Sequence, residues 1–373
     1  ISACLVGSEM CIRDRVWIMA YTTIDDPEAF FQVVTYTGNG SDNKSVTLPG
    51  DTDMQPDWVW IKNRTTETSD DSWNVFDSPR GVTKVMHIDT TDDEETDADT
   101  LDAFESDGFR VDDDTAVNTN TETYVAYCWK AGTTSGIDAT GADITPSAYS
   151  FNHTSRFSVA AYTGNGSSGA KIAHGLGAIP HLMMIKPRDR DGQAWVLYHH
   201  KNTANPETDY LALDATDATA DAAWPWNDAA PTSVYLETQT NNGTNASGNT
   251  FVLYTFRGVQ GFSKFGIYAG TNNVDGGFVH LGFRPAFVLT KKTSAAAPYL
   301  WDNKRNGFNG SNNSLHPHGA NEENSTQRID LLSNGFKFRH ADNDHNSTSE
   351  VHVFWAFAEA PFVNSKGVPC NAR

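Results

Sequence analysis

Tyr36-Thr-Gly-Asn-Gly40, followed by Pro56-Asp-Trp-Val-Trp-Ile-Lys62, occurs in three versions along the chain. The second version is Tyr162-Thr-Gly-Asn-Gly166 with Pro180-His-Leu-Met-Met-Ile-Lys186. The third is Tyr268-Ala-Gly-Thr-Asn272 with Pro285-Ala-Phe-Val-Leu-Thr-Lys291. Tyr leads Pro by 20, 18 and 17 residues (36 to 56, 162 to 180, 268 to 285). A turn signal and an apolar run at near-constant offset mark one supersecondary unit used repeatedly. The Tyr-to-Tyr steps, 126 and 106 residues (36 to 162, 162 to 268), are too long for a solenoid and suit whole small domains.

Outward from that pair, further landmarks repeat. An aromatic segment follows each Pro run: Trp73-Asn-Val-Phe-Asp77, Trp195-Val-Leu-Tyr-His199 and Tyr299-Leu-Trp-Asp302. Ser106-Asp-Gly-Phe-Arg-Val111 in the first copy is echoed in the third by Ser333-Asn-Gly-Phe-Lys-Phe338. Each copy closes on an aromatic strand: Tyr124-Val-Ala-Tyr-Cys-Trp129, Phe251-Val-Leu-Tyr-Thr-Phe256 and His352-Val-Phe-Trp-Ala-Phe357. Trp58-Val-Trp-Ile61 reads as a strand buried on both faces. Many short strands with Gly-rich turns predict an all-β chain of three tandem antiparallel β-sandwich modules, jelly-roll or lectin-like, at 27–132, 156–257 and 258–363. Helical candidates are weak: Thr96 to Glu105 and Thr216 to Ala223. Residues 133–155 read as a linker and 364–373 as a frayed tail. Almost no spacer separates the second and third copies, which predicts that these two pack together or share an edge.

Leu5-Val-Gly-Ser-Glu-Met-Cys-Ile-Arg-Asp14 resembles a translated transposase adapter from sequencing-library preparation. Residues 1–18 are therefore expected to be artefactual or disordered, and stand outside the fold reading.

The 47 Asp and Glu against 27 Lys and Arg leave a net charge of −20. That balance argues against nucleic acid and anionic membrane surfaces as partners. No apolar run is long enough to cross a membrane. Much of the acid lies between Asp89 and Asp114. A solvated acidic loop fits it better than a calcium site, because no spaced D-x-D-x-D-G loop is present. Outside residues 1–18 only Cys128 and Cys370 remain. Cys128 reads as a buried small hydrophobe, Cys370 as exposed, and no disulfide framework is expected.

Candidate chemistry is sparse. No G-x-S-x-G elbow, H-E-x-x-H helix, P-loop or C-x-x-C pair occurs, and neither a catalytic centre nor a cofactor is expected. His316-Pro-His318 places two imidazoles on one side of an extended segment, where they either share a metal or sit as exposed loop residues. His199 and His200 read as surface residues. Trp224-Pro-Trp226-Asn-Asp228 has three readings. Packing against a neighbouring module or subunit ranks first. A sugar-stacking platform, with Asn227 and Asp228 bonding hydroxyls, ranks second. A place in the module's own core ranks third.

The repeats as a set resemble a module of virion proteins from tailed bacteriophages of marine metagenomes. The residues that carry the likeness are Tyr36-Thr-Gly-Asn-Gly40, Pro56-Asp-Trp-Val-Trp-Ile-Lys-Asn-Arg64, Phe76-Asp-Ser-Pro-Arg-Gly81, Ser106-Asp-Gly-Phe109, Tyr127-Cys-Trp-Lys130 and Phe357-Ala-Glu-Ala-Pro-Phe362. It spans residues 19–373. The resemblance implies a non-enzymatic structural or host-recognition protein: a tail-fibre, tail-tip or capsid-surface component. It would be located in the virion and assembled in the host cytoplasm. Implied partners are other virion proteins, further copies of the chain and host surface glycan. A secreted lectin-like protein is the alternative, and a polysaccharide depolymerase ranks last.

Overall fold

A computed structural model describes residues 20–65, 72–306, 309–310, 313–326 and 328–371. The expectation for residues 1–18 lies outside these.

The first module holds β1 (Phe31–Thr37), β2 (Lys44–Thr47), β3 (Trp58–Asn63), β4 (Asn74–Asp77), β5 (Lys84–His87) and β6 (Glu95–Thr96). It continues with β7 (Leu101–Glu105), β8 (Gly108–Val111), the single-turn α1 (Thr115–Asn118) and β9 (Thr123–Trp129). The second holds β10 (Ala148–Asn152), β11 (Phe157–Thr163), β12 (Ala170–Ala173), β13 (Leu182–Pro187), β14 (Val196–His199), β15 (Asp209–Ala212), β16 (Ala220–Asp221), β17 (Tyr235–Thr238) and β18 (Thr250–Phe256). The third holds β19 (Ser263–Ala269), β20 (Phe278–His280), β21 (Phe283–Lys292), β22 (Tyr299–Asp302), β23 (Ile329–Leu332), β24 (Gly335–Phe338) and β25 (Val351–Pro361).

Each module pairs one large antiparallel sheet with one small one. The large sheets run β1-β9-β3-β4-β5-β6, β10-β11-β18-β13-β14-β15-β16 and β19-β25-β21-β22. The small sheets are β2-β8-β7, β12-β17 and β20-β24-β23. The all-β expectation holds. Neither helical candidate is a helix: Leu101–Glu105 is a strand, and Ala220–Asp221 pairs with β15.

Side chains alternate across a strand, so the central strands feed two cores at once. Trp58 and Trp60 point into a cluster shared by all three modules, whereas Val59 and Ile61 meet the first module's own small sheet. In the second module Leu182 and Met184 enter the shared cluster, and Met183 and Ile185 the private one. The continuous apolar runs follow from this: each large sheet is covered outside by its small sheet and inside by the other modules.

The shared cluster is largely aromatic. Trp58 stacks on Tyr254 of the second module with ring centroids 4.5 Å apart. Phe31 stacks on Phe357 of the third at 5.0 Å. Phe256 meets Phe357 at 5.6 Å, joining the second and third. Such pairs contribute about 0.5–1.5 kcal/mol each beyond area burial. The indole N–H groups of Trp58, Trp60 and Trp129 find no acceptor among the described residues. Aromatic faces are their neighbours, a weak substitute for a carbonyl.

The repeated Tyr-x-Gly-x-Gly stretch is a structural clamp. Tyr36, Tyr162 and Tyr268 each donate their hydroxyl to a backbone carbonyl in the loop before the closing strand, which in the first module includes α1, at 2.7, 2.6 and 2.6 Å. A buried asparagine in that loop accepts the N–H following the motif glycine: Asn118 from Asn39, Asn245 from Asn165 and Asn346 from Thr271. At Gly38, Gly164 and Gly270 an added Cβ would lie 2.0–2.3 Å from a carbonyl oxygen of that loop, so only glycine fits. Two positions on, Gly40 and Gly166 have φ of 61° and 69°, and Asn272 takes the same left-handed conformation at 47°. Asparagine tolerates that region, so the third copy keeps the turn without its glycine.

Two expectations about connecting segments are corrected. The span 133–155 contains β10, which pairs with β11 along its edge, with Ser150 buried. Thr133 bridges Phe151, and Ile144 bridges Ile172, so this stretch belongs to the second module. The tail doubles back: Val363 bridges Pro369, and the half-buried Cys370 donates its Sγ–H to Ser333 O at 3.1 Å.

Candidate functional site

The strand registers place Trp58, Leu182 and Phe287 at one equivalent position, opposite Asp77, His199 and Asp302 on the neighbouring strand. From these positions each module reaches into the next in the same sense: second to first, first to third, third to second.

Three lysines make the first set of links. Lys62, Lys186 and Lys291 end their central strands, fully buried. Their ammonium groups donate to the carbonyls of Ala320, Thr90 and Ala215, each in another module, at 2.9, 3.2 and 2.7 Å. Burial pulls Lys186 and Lys291 down to about 8, because the charge loses its water.

Two boundaries carry a longer polar chain. Tyr254 Oη donates to Asp77 Oδ2 at 2.5 Å; Asp77 holds Arg80, Arg80 meets Glu94, and Glu94 takes both arms of Arg188. The same chain recurs as Tyr127, Asp302, Arg305, Glu323 and Arg64. Burial opposes charge on Arg80 and Arg305, but the adjacent aspartates outweigh it and raise both. Burial alone would raise Asp302; the Arg305 guanidinium reverses this and holds it low. Buried carboxylates and guanidinium groups survive because each is multiply bonded.

At the third boundary His199 stands where the others have aspartate. Its Nδ1 accepts the turn N–H of Lys201 at 3.2 Å, as Asp302 accepts that of Lys304, and its Nε2 lies 3.3 Å from Phe354 O. A neutral imidazole thus replaces a carboxylate with one acceptor and one donor. Burial, aided by His200, pushes it down to about 3. The surface reading of His199 is corrected: it is fully buried, and His200 is half-buried.

The sugar platform is not formed as expected. Trp226 is 1% exposed, packs edge-on against Tyr198 in the second module's own core and donates its indole N–H to Asp209 O at 3.0 Å. That was the lowest-ranked reading. Trp224 is half-buried against Tyr210, Asn227 is bonded to Glu237 at 3.0 Å, and Asp228 is exposed. The proline between the two indoles does not turn them to one side.

His316 and His318 lie with ring centroids 5.9 Å apart. Burial first, then neighbouring His318, lowers His316 to about 4. Among the described residues no group of three or more His, Cys, Asp or Glu is placed to hold a metal. The carboxylates Asp89, Asp92, Glu95, Asp97 and Asp114 instead ring a cavity of about 630 Å³ closed by Gly319 and Ala320 of the third module. Cys128 is buried, which pushes its thiol up and keeps it unreactive.

Residues 26–361 match, as one unit, the family described as a domain of unknown function, DUF7483. The chain belongs to the DUF7483 family. No curated protein and no solved structure matches it. The DUF7483 match spans all three modules, as does the shared core. The polar chains were missed by sequence reading. The signal available was the repeat Asp77-x-x-Arg80 and Asp302-x-x-Arg305, together with Lys at the end of every central strand.

Proposed function

We propose that this DUF7483 protein is a non-enzymatic structural component of a tailed-bacteriophage particle: a tail-fibre, tail-tip or capsid-surface protein assembled in the host cytoplasm. The observation that carries this reading is the locking of three sheet systems around one aromatic core, with buried lysines crossing every boundary. Such a block resists deformation, as a part of a particle must. The likeness of its repeats to marine phage virion modules supports the same reading. Its partners are other virion proteins and further copies of itself. Trp224 is the residue through which contact with host glycan is to be sought, since Trp226 is committed to the core.

Proteomics of gradient-purified particles, with immunogold labelling by an antibody to this chain, tests the proposal. Peptides of the chain at structural-protein abundance, with label on intact particles, are expected. Recovery only from the particle-free fraction would contradict it.

A further inference from the structure

A cavity of about 370 Å³ opens where the second module meets the third. That is about a dozen times the roughly 30 Å³ taken by a water molecule in the liquid. His181, just before β13, and His200, just after β14, stack with ring centroids 4.0 Å apart and planes 11° from parallel. His181 Nδ1 accepts the Gly258 N–H at 3.1 Å, which places its own proton on Nε2. That Nε2–H has no partner among the described residues. His200 Nε2 faces Phe265 O at 3.0 Å, leaving Nδ1 bare.

Three basic side chains lie near this pair. Lys201 and Lys264 line the cavity, and the charge of Arg257 acts on both rings. Lys264 Nζ donates to His280 O at 2.7 Å and Arg257 Nη1 to Ile179 O at 3.0 Å. Carbonyl partners fix these groups but do not neutralise them. Among the described residues none of the three is ion-paired, and no Asp or Glu lines the cavity. A chain of net charge −20 thus gathers an uncompensated cationic pocket at one boundary.

We propose that this pocket binds a tetrahedral oxyanion, a sulfate or phosphate group, free or carried by a small solute. Lys201 and Lys264 supply the charge, and His181 Nε2–H supplies a directed donor. Charge-assisted bonds of this kind are shorter and stronger than neutral ones. Burial and the neighbouring cations push His181 down to about 3 and lower His200 and Lys264. An entering anion relieves that repulsion. The inference does not rest on the virion reading.

Calorimetric titration of the full chain with sodium sulfate, sodium phosphate and sodium acetate, in low-chloride buffer, tests it. Saturable one-to-one binding of sulfate or phosphate is expected, with acetate weaker. Lys201→Gln and Lys264→Gln should each weaken it roughly tenfold. Both variants should still unfold in one cooperative transition without ligand, which shows that they are folded. In ¹⁵N-histidine spectra the His181 and His200 signals should shift on sulfate addition. No saturable binding of either oxyanion, acetate binding as tight as sulfate, or full affinity in the folded double variant would overturn the proposal.

Discussion

Tyr127 of the first module donates its hydroxyl to Asp302 of the third at 2.7 Å, 175 residues away and wholly buried. The carboxylate it serves also holds Arg305, so the bond ties two modules through a charged pair. Tyr127→Phe removes the donor and leaves a buried oxygen short of a partner. The expected cost is about 1–3 kcal/mol. Tyr254→Phe, at the equivalent bond to Asp77, should cost a similar amount. Urea unfolding checks both; a loss below about 0.5 kcal/mol in each would show that the bonds contribute little.

Trp58 touches rings from two modules, stacking on Tyr254 and packing at 4.5 Å against Trp129. Trp58→Ala should cost about 3–5 kcal/mol through the cavity it leaves. Trp58→Phe should cost less, because it keeps a ring and deletes an indole N–H that has no acceptor. Equal losses in chemical denaturation would contradict this ordering.

Acid should destabilise the protein. Burial, the leading cause, lowers His174 to about 4 and His199 to about 3, against about 6.5 in an unfolded chain. Below pH 6.5 the unfolded state binds protons that the folded state refuses. The contribution of these histidines is therefore full above pH 6.5 and falls toward pH 4, by roughly 1.4 kcal/mol per pH unit for each such group. Asp214, raised to about 6 by burial, acts in the opposite direction, as do Asp89 and Asp114, which burial also raises, but the histidines lowered by burial outnumber them. Melting curves at pH 7 and pH 4.5 test the sign, and a higher melting temperature at pH 4.5 would contradict it.

The two tryptophans of Trp224-Pro-Trp226 should separate cleanly. Trp226→Ala should destabilise by about 3–5 kcal/mol as a core truncation. Trp224→Ala should cost less, and is the variant that belongs in a glycan-array comparison. Equal stability of the two variants would place Trp226 outside the core.

What the sequence disclosed follows from what local pattern encodes. The run Trp58-Val-Trp-Ile announced a strand buried on both faces, because polar residues are missing from both alternating sets. The pattern does not say what covers each face. Hence one core shared by three modules was not legible, beyond the contact expected where 258 follows 257 without a spacer. Residues 148–152 passed as linker because Gly and Thr around them dilute a short strand that only caps an edge. His199 looked like surface because a histidine in a polar pair usually is. Only strand register reveals that it occupies the place of Asp77 and Asp302. Trp226 was misplaced because a proline-flanked loop gives no sign of which ring turns inward.

The claim that three modules form one fold is tested most directly by differential scanning calorimetry of the whole chain. A single transition is predicted, with calorimetric enthalpy equal to the van't Hoff enthalpy, since no module can lose its inner face without exposing the others. Two or three resolved transitions, each with its own van't Hoff enthalpy, would contradict it.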